Sequence, residues 1–293
     1  AQLPITQLTT IYPAGGQQGT EVEVQVAGGD QDSLIKMVFS HPGITAQQKM
    51  TPANELNPKP QPVNSTFQVK IGKDVPAGIY EVRVVGQFGA SNPRSFAVGT
   101  SVEVADAGGN HDPLKAQVVE LGATINGRAD ASNTDHYQVE LAAGQRLLVD
   151  CQAQRIDSRL DGTLIVFDAT GKELMRSRGY RNGDALIDFK APVAGKYVVG
   201  VGDFVYRGGA EYMYRLDLRS GPYIDFVVPS IGAPGSNGQY TIYGRNLPGG
   251  KPVPGMVSGS AVLEQATVNI AVPAQAELDA KPSAYQALRG ASL

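Results

Sequence analysis

One turn-and-strand element occurs twice in this chain, once near each end. The first copy runs Pro13-Ala-Gly-Gly-Gln-Gln-Gly19-Thr20 into Val22, Val24, Val26 and Gly28. The second runs Pro229-Ser-Ile-Gly-Ala-Pro-Gly235 into Tyr240, Ile242 and Gly244, closing on Arg245-Asn246-Leu247. A unit repeated at such a distance marks a string of modules and argues against one large catalytic domain. The repeat contains nothing that could do chemistry, so it speaks to architecture before activity.

A length of 293 residues allows two domains, or three small ones, each with its own core. With 35 Gly, 19 Pro and 18% charged residues, the chain is rich in turns and poor in the Glu, Lys and Ala runs that long helices need. A formal charge of -3 gives no electrostatic case for nucleic acid or an anionic membrane. Arg207-Gly208-Gly209 beside Tyr206 is a single triplet and reads as a turn. Cys151 is the only cysteine, so no internal disulfide forms. No apolar run approaches the ~20 residues needed to span a bilayer. The start at Ala1-Gln2 is typical of what remains after cleavage behind a small residue, so a removed export signal is expected.

Residues 1–100 read as β throughout. Val22, Val24 and Val26 alternate with Glu21, Glu23 and Gln25, the period of a strand with one buried face. Phe67-Val69-Ile71, Tyr80-Val82-Val84 and Phe96-Val98 repeat that period, and short strands at this spacing imply a sandwich. Residues 51–64 carry Pro52, Pro58, Pro60 and Pro62 and are expected to form an exposed loop. Residues 101–117 are polar and read as a linker. Residues 118–221 form a second β domain, with strands around Tyr137–Leu141, Leu147–Cys151, Leu164–Phe167, Leu186–Phe189, Tyr197–Val201 and Tyr212–Leu218. Residues 222–293 read as part of a third module, with strands at 240–243 and 268–272 and an Ala-rich, partly helical stretch at 274–288. Its closing hairpin is expected beyond residue 287, so the module is expected to be completed by further chain or by a partner. The fold class is therefore all-β, as multi-domain β-sandwiches.

Residues 8–98 resemble the Ig-like fold shared by transcription factors and plexins (IPT/TIG). The resemblance rests on the Pro-x-x-Gly-x-x-Gly-Thr opening, the strand ending at Gly28 and Pro76-Ala-Gly-Ile-Tyr80-x-Val82-x-Val84. Residues 222–250 resemble the start of another such module. Residues 103–220 resemble the bacterial pre-peptidase C-terminal (PPC) domain, a jelly-roll-like sandwich. The residues that carry this are Gly127, Asp135-His-Tyr137, Ala143-Gly144-Gln145, Asp157-Ser-Arg-Leu160-Asp161, Phe167-Asp168-Ala-Thr-Gly171, Asp188-Phe189, Gly195-Lys-Tyr197, Asp203 and Tyr214-Arg215-Leu216. The resemblance implies an exported bacterial protein, secreted or at the cell surface.

PPC-like collagen-binding modules hold calcium with acidic and Asn residues of the entering linker and Asp residues before the first strand. The corresponding positions here are Glu103, Asn110 and Asp135. Calcium takes about six to eight oxygen ligands, which loop carboxylates can supply. The Glu-Pro-Asn core of that pattern is broken, because Val104, Ala105 and Asp106 follow Glu103, so a solvated linker is the competing reading.

No other chemistry is nominated. His41, His111 and His136 lack zinc-ligand spacing, and Cys151 alternates with Leu147 and Val149 as a small buried hydrophobe. There is no Gly-x-Ser-x-Gly elbow and no phosphate-binding loop before a helix. Asp157, Asp161, Asp184 and Asp203 read as turn residues. Tyr206 and Tyr180, near Arg178, Arg181 and Arg207, would suit a sugar or protein contact, against the common placement of Tyr at strand rims. The expected function is a noncatalytic extracellular or cell-surface scaffold binding protein, polysaccharide or neighbouring surface subunits. The alternative is the accessory region of a secreted hydrolase whose catalytic domain lies outside these residues. No cofactor is expected beyond the possible calcium.

Overall fold

The computed structural model describes residues 3–55, 57–180, 183–258 and 261–276. The chain is all-β, built as two β-sandwiches followed by a four-stranded sheet. The first sandwich contains β1 (Thr10–Tyr12), β2 (Gly15–Gln17), β3 (Glu21–Ala27), β4 (Lys36–Phe39) and β5 (Ile44–Thr51). It continues with β6 (Gln61–Ile71), β7 (Gly78–Gly86), β8 (Gly89–Ala90) and β9 (Arg94–Gly99). One sheet has the order β1-β3-β6-β5 and the other β2-β9-β7-β4. The alternating valines of β3 behave as the pattern requires, with Val24 and Val26 buried and Glu21, Glu23 and Gln25 exposed. They meet Phe67, Val69, Val82, Val84 and Phe96 in one core, where Phe39 packs edge-on against Phe96 at 5.2 Å.

The second sandwich comprises β10 (Val102–Ala105), β11 (Gln117–Val118), β12 (Ala123–Arg128), β13 (Asp135–Leu141) and β14 (Arg146–Gln152). It is completed by β15 (Gly162–Asp168), β16 (Glu173–Arg178), β17 (Leu186–Lys190), β18 (Gly195–Asp203) and β19 (Met213–Arg219). The chain shuttles between two five-stranded sheets of order β10-β12-β19-β14-β17 and β11-β13-β18-β15-β16. Their facing sides bury Tyr137, Val139, Leu147, Val149, Cys151, Leu164, Val166, Val199, Tyr214 and Leu216. Gly127 is required by this core: a Cβ there would stand 2.3 Å from the phenol of Tyr214, its partner across the ladder.

The third unit is one sheet among the described residues: β20 (Tyr223–Val228), β21 (Asn237–Arg245), β22 (Lys251–Ser258) and β23 (Ala261–Ala271), in the order β20-β21-β23-β22. This order reproduces β1-β3-β6-β5, so the repeated sequence element is also a repeated structural one. The opening prolines of the two copies, Pro13 and Pro229, follow cis peptide bonds. Between β21 and β22 only residues 246–250 intervene, too few for a counterpart of β4. The Ala-rich stretch expected to be helical and the expected closing hairpin lie almost entirely outside the described residues.

Two sequence readings change. Residues 101–117 are not a free linker: β10 runs parallel to β12, β11 runs parallel to β13, and a 3-10 turn at Pro113–Lys115 lies between them. Their polarity is tolerated because β10 and β11 are edge strands. The proline-rich stretch 51–64 is shorter as a loop than expected, since β5 includes Thr51 and β6 starts at Gln61. Pro62 sits at the frayed start of β6, opposite Met50 and beyond a register shift.

Candidate functional site

The calcium expectation grouped Glu103, Asn110 and Asp135, and the structure parts Glu103 from the other two. Tyr214 and Arg215 are neighbours on β19, so their side chains leave opposite faces of the sheet. Glu103 lies on the Arg215 side. Its carboxylate accepts from Arg215 Nη2 at 2.7 Å and Nη1 at 3.0 Å, and from Asn126 Nδ2 at 2.6 Å. Asp135 lies on the Tyr214 side, where its Oδ2 accepts from the Tyr214 hydroxyl at 2.6 Å. Glu103 therefore works at the junction with the first sandwich. Asn110 stays with Asp135 at the start of β13: its backbone carbonyl accepts from His136 N at 3.0 Å, and its Nδ2 donates to Asp106 Oδ1 at 3.1 Å. Among the described residues, no group of three or more His, Cys, Asp and Glu side chains is placed to hold a metal ion.

What forms instead is a chain of close oxygen contacts. The Tyr137 hydroxyl donates to Asp106 Oδ1 at 2.9 Å, the Tyr137 and Tyr214 hydroxyls meet at 2.6 Å, and Tyr214 reaches Asp135. Two phenols supply two protons for three contacts, so the hydroxyl–hydroxyl contact competes with the contacts to the two carboxylates. Burial pushes Asp135 up to about 6, against the lowering effect of the Tyr214 hydrogen bond and with a further rise from Asp106. His111 closes the outer end, with Nε2 at 3.3 Å from both Asp130 and Asp135. The motif Asp135-His-Tyr137 was legible, but its link to Tyr214 needed the sheets to face each other.

The exposed aromatic candidates also divide. Tyr180 is half-buried: its hydroxyl contacts Asp225 and Ser258 of the third unit, and it accepts from Arg245 Nη2 at 2.8 Å. Arg181 lies outside the described residues. Tyr206 is 68% exposed, beside Val205 at 54% and Phe204 at 48%, in a loop clamped from both sides. Buried Asp203 accepts from the backbone N–H of Val205 at 3.1 Å and of Arg207 at 2.9 Å through Oδ1, and from Asp161 N at 3.0 Å through Oδ2. Ser132 N donates to the Tyr206 carbonyl at 3.0 Å. Tyr206 adopts a left-handed φ of 60°, and a Cβ on Gly208 would fall 2.2 Å from Ala131 N. The Arg178 guanidinium lies 3.2 Å from the centroid of the Phe204 ring and pairs with Asp161. Asp184, also read as a turn residue, is 1% exposed and accepts from Ala153 N, Gln154 N and Arg155 Nε.

The three units are joined by hydrogen bonds, a cation–π contact and ion pairs. Between the sandwiches, the Tyr12 hydroxyl donates to the Asn126 carbonyl at 3.0 Å, Arg128 lies over the Tyr12 ring at 3.8 Å, and Ser95 N donates to Asp157 at 2.7 Å. Between the second and third units, Asp188 pairs with Arg146 at 2.6 Å and Arg245 at 3.1 Å, and Arg146 also reaches Glu264 at 2.8 Å. Cys151 is fully buried and its thiol is pushed up by burial, then by Asp184 and Asp150, which disfavours the thiolate.

Fold and site together define a multi-domain, all-β protein with hydrogen-bonded junctions between its units and a constrained aromatic loop. No protein-family model and no curated protein sequence matches the chain. Among solved structures, the chain is similar to the pre-peptidase C-terminal domain of a Bacillus anthracis collagenase, with 18% identity, 36% of this chain and 94% of that one covered, and a TM-score of 0.30. It is also similar to PliG, a periplasmic inhibitor of g-type lysozyme from Aeromonas hydrophila, with 20% identity over 40% of this chain and 95% of that one, and a TM-score of 0.27. SGBP-B from a mixed-linkage glucan utilisation locus of Bacteroides ovatus, solved with a heptasaccharide, covers 70% of this chain and 72% of its own at 7% identity and a TM-score of 0.23.

Proposed function

We propose that this chain is a noncatalytic binding module of an exported protein, contacting extracellular protein or polysaccharide through the loop at 203–209. The observation that carries this reading is the loop itself. Three consecutive large apolar side chains stand in solvent on a backbone that a buried carboxylate holds still. An exposed apolar cluster of this kind costs solubility and contributes nothing to the core, so it is a contact surface. Preorganisation lowers the entropy that binding must overcome, which suits a docking element. Arg207 lies beside it, exposed and without a carboxylate partner among the described residues.

The test compares the wild-type chain with Phe204→Ser and Tyr206→Ser in retention on insoluble cell-wall and extracellular-polymer preparations. Retention lost in both variants, with unchanged thermal unfolding, is the expected result. Equal retention would remove the loop as the contact surface. Panels of peptide, ester and glycan substrates should give no turnover, and a turnover abolished by one Asp, His or Ser substitution would overturn the noncatalytic reading.

A further inference from the structure

The third sheet presents a face that the loop does not explain. Residues directly opposite each other in a ladder share a face, so Gln239 with Asn269, Thr241 with Thr267, and Tyr243 with Gln265 form three successive rows on one side of β21 and β23. Successive rows lie about 6.6–6.8 Å apart along the strands. Phe226 on β20 is opposite Tyr243, and their rings stack at 4.8 Å with 18° between planes. Each ring thus keeps one face that the other does not cover, and Phe226 is 43% exposed. Among the described residues, Lys251, opposite Gln265 on the edge strand, is the one ionisable side chain beside these rows.

At the end nearest the second sandwich, the face runs into a cleft of about 360 Å³ between Tyr180, Phe226 and Met256, with Leu263 below. That volume lies within the range of about 300–1,000 Å³ typical of ligand pockets, and a junction between domains is a usual place for one. The Asp225 carboxylate at its edge is already engaged by the Tyr180 hydroxyl and by Arg245 at 3.4 Å. The surface thus offers aromatic faces at one end and a neutral file of amides and hydroxyls leading away from it.

We propose that this face binds an extended, neutral polysaccharide strand, with a sugar ring against the Phe226–Tyr243 pair and its hydroxyls meeting the amide and hydroxyl rows. Neutrality selects the ligand class. A nucleic acid or acidic glycan needs several cations, and one edge lysine does not provide them. A folded protein partner needs a larger apolar centre than the two rings, Val228 opposite Thr241 and the small apolar cleft beside them. Amides and hydroxyls both donate and accept, as sugar hydroxyls do. The inference rests on the reading of the chain as a binding module but uses a different surface from the loop.

Affinity electrophoresis in native gels containing hydroxyethylcellulose, mixed-linkage β-glucan, arabinoxylan or galactomannan tests it, with polygalacturonate as the acidic control. At least one neutral polymer should retard the wild-type chain and polygalacturonate should not. Phe226→Ala and Tyr243→Ala should each weaken that interaction about tenfold, the effect of about 1.4 kcal/mol. Gln265→Ala, at an exposed position, should weaken it severalfold without altering thermal unfolding, which separates lost contact from lost fold. Absence of retardation by every neutral polymer overturns the proposal and leaves the loop reading to its own test. Retardation that survives Phe226→Ala and Tyr243→Ala but is lost in Tyr206→Ser overturns this site and supports the loop. Equal retardation by polygalacturonate overturns the neutral ligand class.

Discussion

The hydroxyls of Tyr137 and Tyr214, which lie on facing sheets of the second sandwich, meet at 2.6 Å, and each is also bonded to a carboxylate. Burial in this arrangement raises Asp135 to about 6, so its carboxyl proton is held more firmly than that of an exposed carboxyl. The folded chain therefore binds this proton more tightly than the unfolded chain. A carboxyl raised in the folded state contributes stability that is full below its unfolded pKa and is lost as pH rises through about 6. The wild-type chain should be on the order of 1–2 kcal/mol less stable at pH 8 than at pH 5 from this group. In Asp135→Asn, whose amide stays neutral, urea titrations across that range should lose this component. An identical pH dependence in both proteins would mean that the proton is not held there.

The Glu103–Arg215 pair lies within the second sandwich, where the first one covers it, and should behave as a coupled pair. Arg215 is 2% exposed, so Arg215→Met leaves the Glu103 carboxylate partly buried beside Asn126 without its cation. Stability should fall by about 3 kcal/mol, the scale for breaking one side of a buried pair. Adding Glu103→Gln should recover part of that loss. Full additivity of the two changes in urea unfolding would show that the pair does not couple.

Gly127 and Gly78 give a matched contrast. Gly127→Ala drives a methyl into the Tyr214 phenol and should cost about 2–3 kcal/mol by overpacking. Gly78→Ala meets nothing within 4 Å and should stay within about 0.5 kcal/mol of wild type. Thermal unfolding of the two variants decides it, and equal effects would contradict the packing described.

Asp203 holds the exposed loop through three backbone N–H groups, one of them from Asp161. Asp203→Ala leaves those donors without their acceptor and should cost about 2–3 kcal/mol. Limited proteolysis should then cut between residues 204 and 209 much faster than in wild type. Unchanged cleavage would mean that the loop is held by its backbone contacts alone.

Cys151 should be silent toward thiol reagents in the native state and react fully once the chain is unfolded, because the thiol is fully buried and disfavoured as a thiolate. Rapid labelling without denaturant would place it outside the core.

Much of the fold was legible from period alone. Val22-Val24-Val26, Phe67-Val69-Ile71 and Tyr197-Val199-Val201 alternate because one side of each strand meets a core, and each forms the strand expected. Strands without that contrast escaped notice: β16, Glu-Leu-Met-Arg-Ser-Arg, is an edge strand whose pattern is set by solvent, and β22 contains two prolines that only an edge tolerates.

The sequence by itself determined the all-β class, the modular repeat around Pro13 and Pro229 and the buried state of Cys151, because these follow from local alternation and turn chemistry. Tertiary structure alone decided which polar residues work together. Arg215 and Asp217 alternate with Tyr214, Leu216 and Leu218 as an outward polar face should, yet both are buried, because the first sandwich lies over Arg215 and the buried charges of β14 lie beside Asp217. Glu103 and Asp135 looked like partners along the chain but belong to different sheets, Glu103 to that of β10 and Asp135 to that of β13. Tyr180 looked like a surface aromatic and became part of the joint to the third unit. In each case the deciding contact comes from a segment far away in sequence, and no local pattern carries information about which face another module will cover.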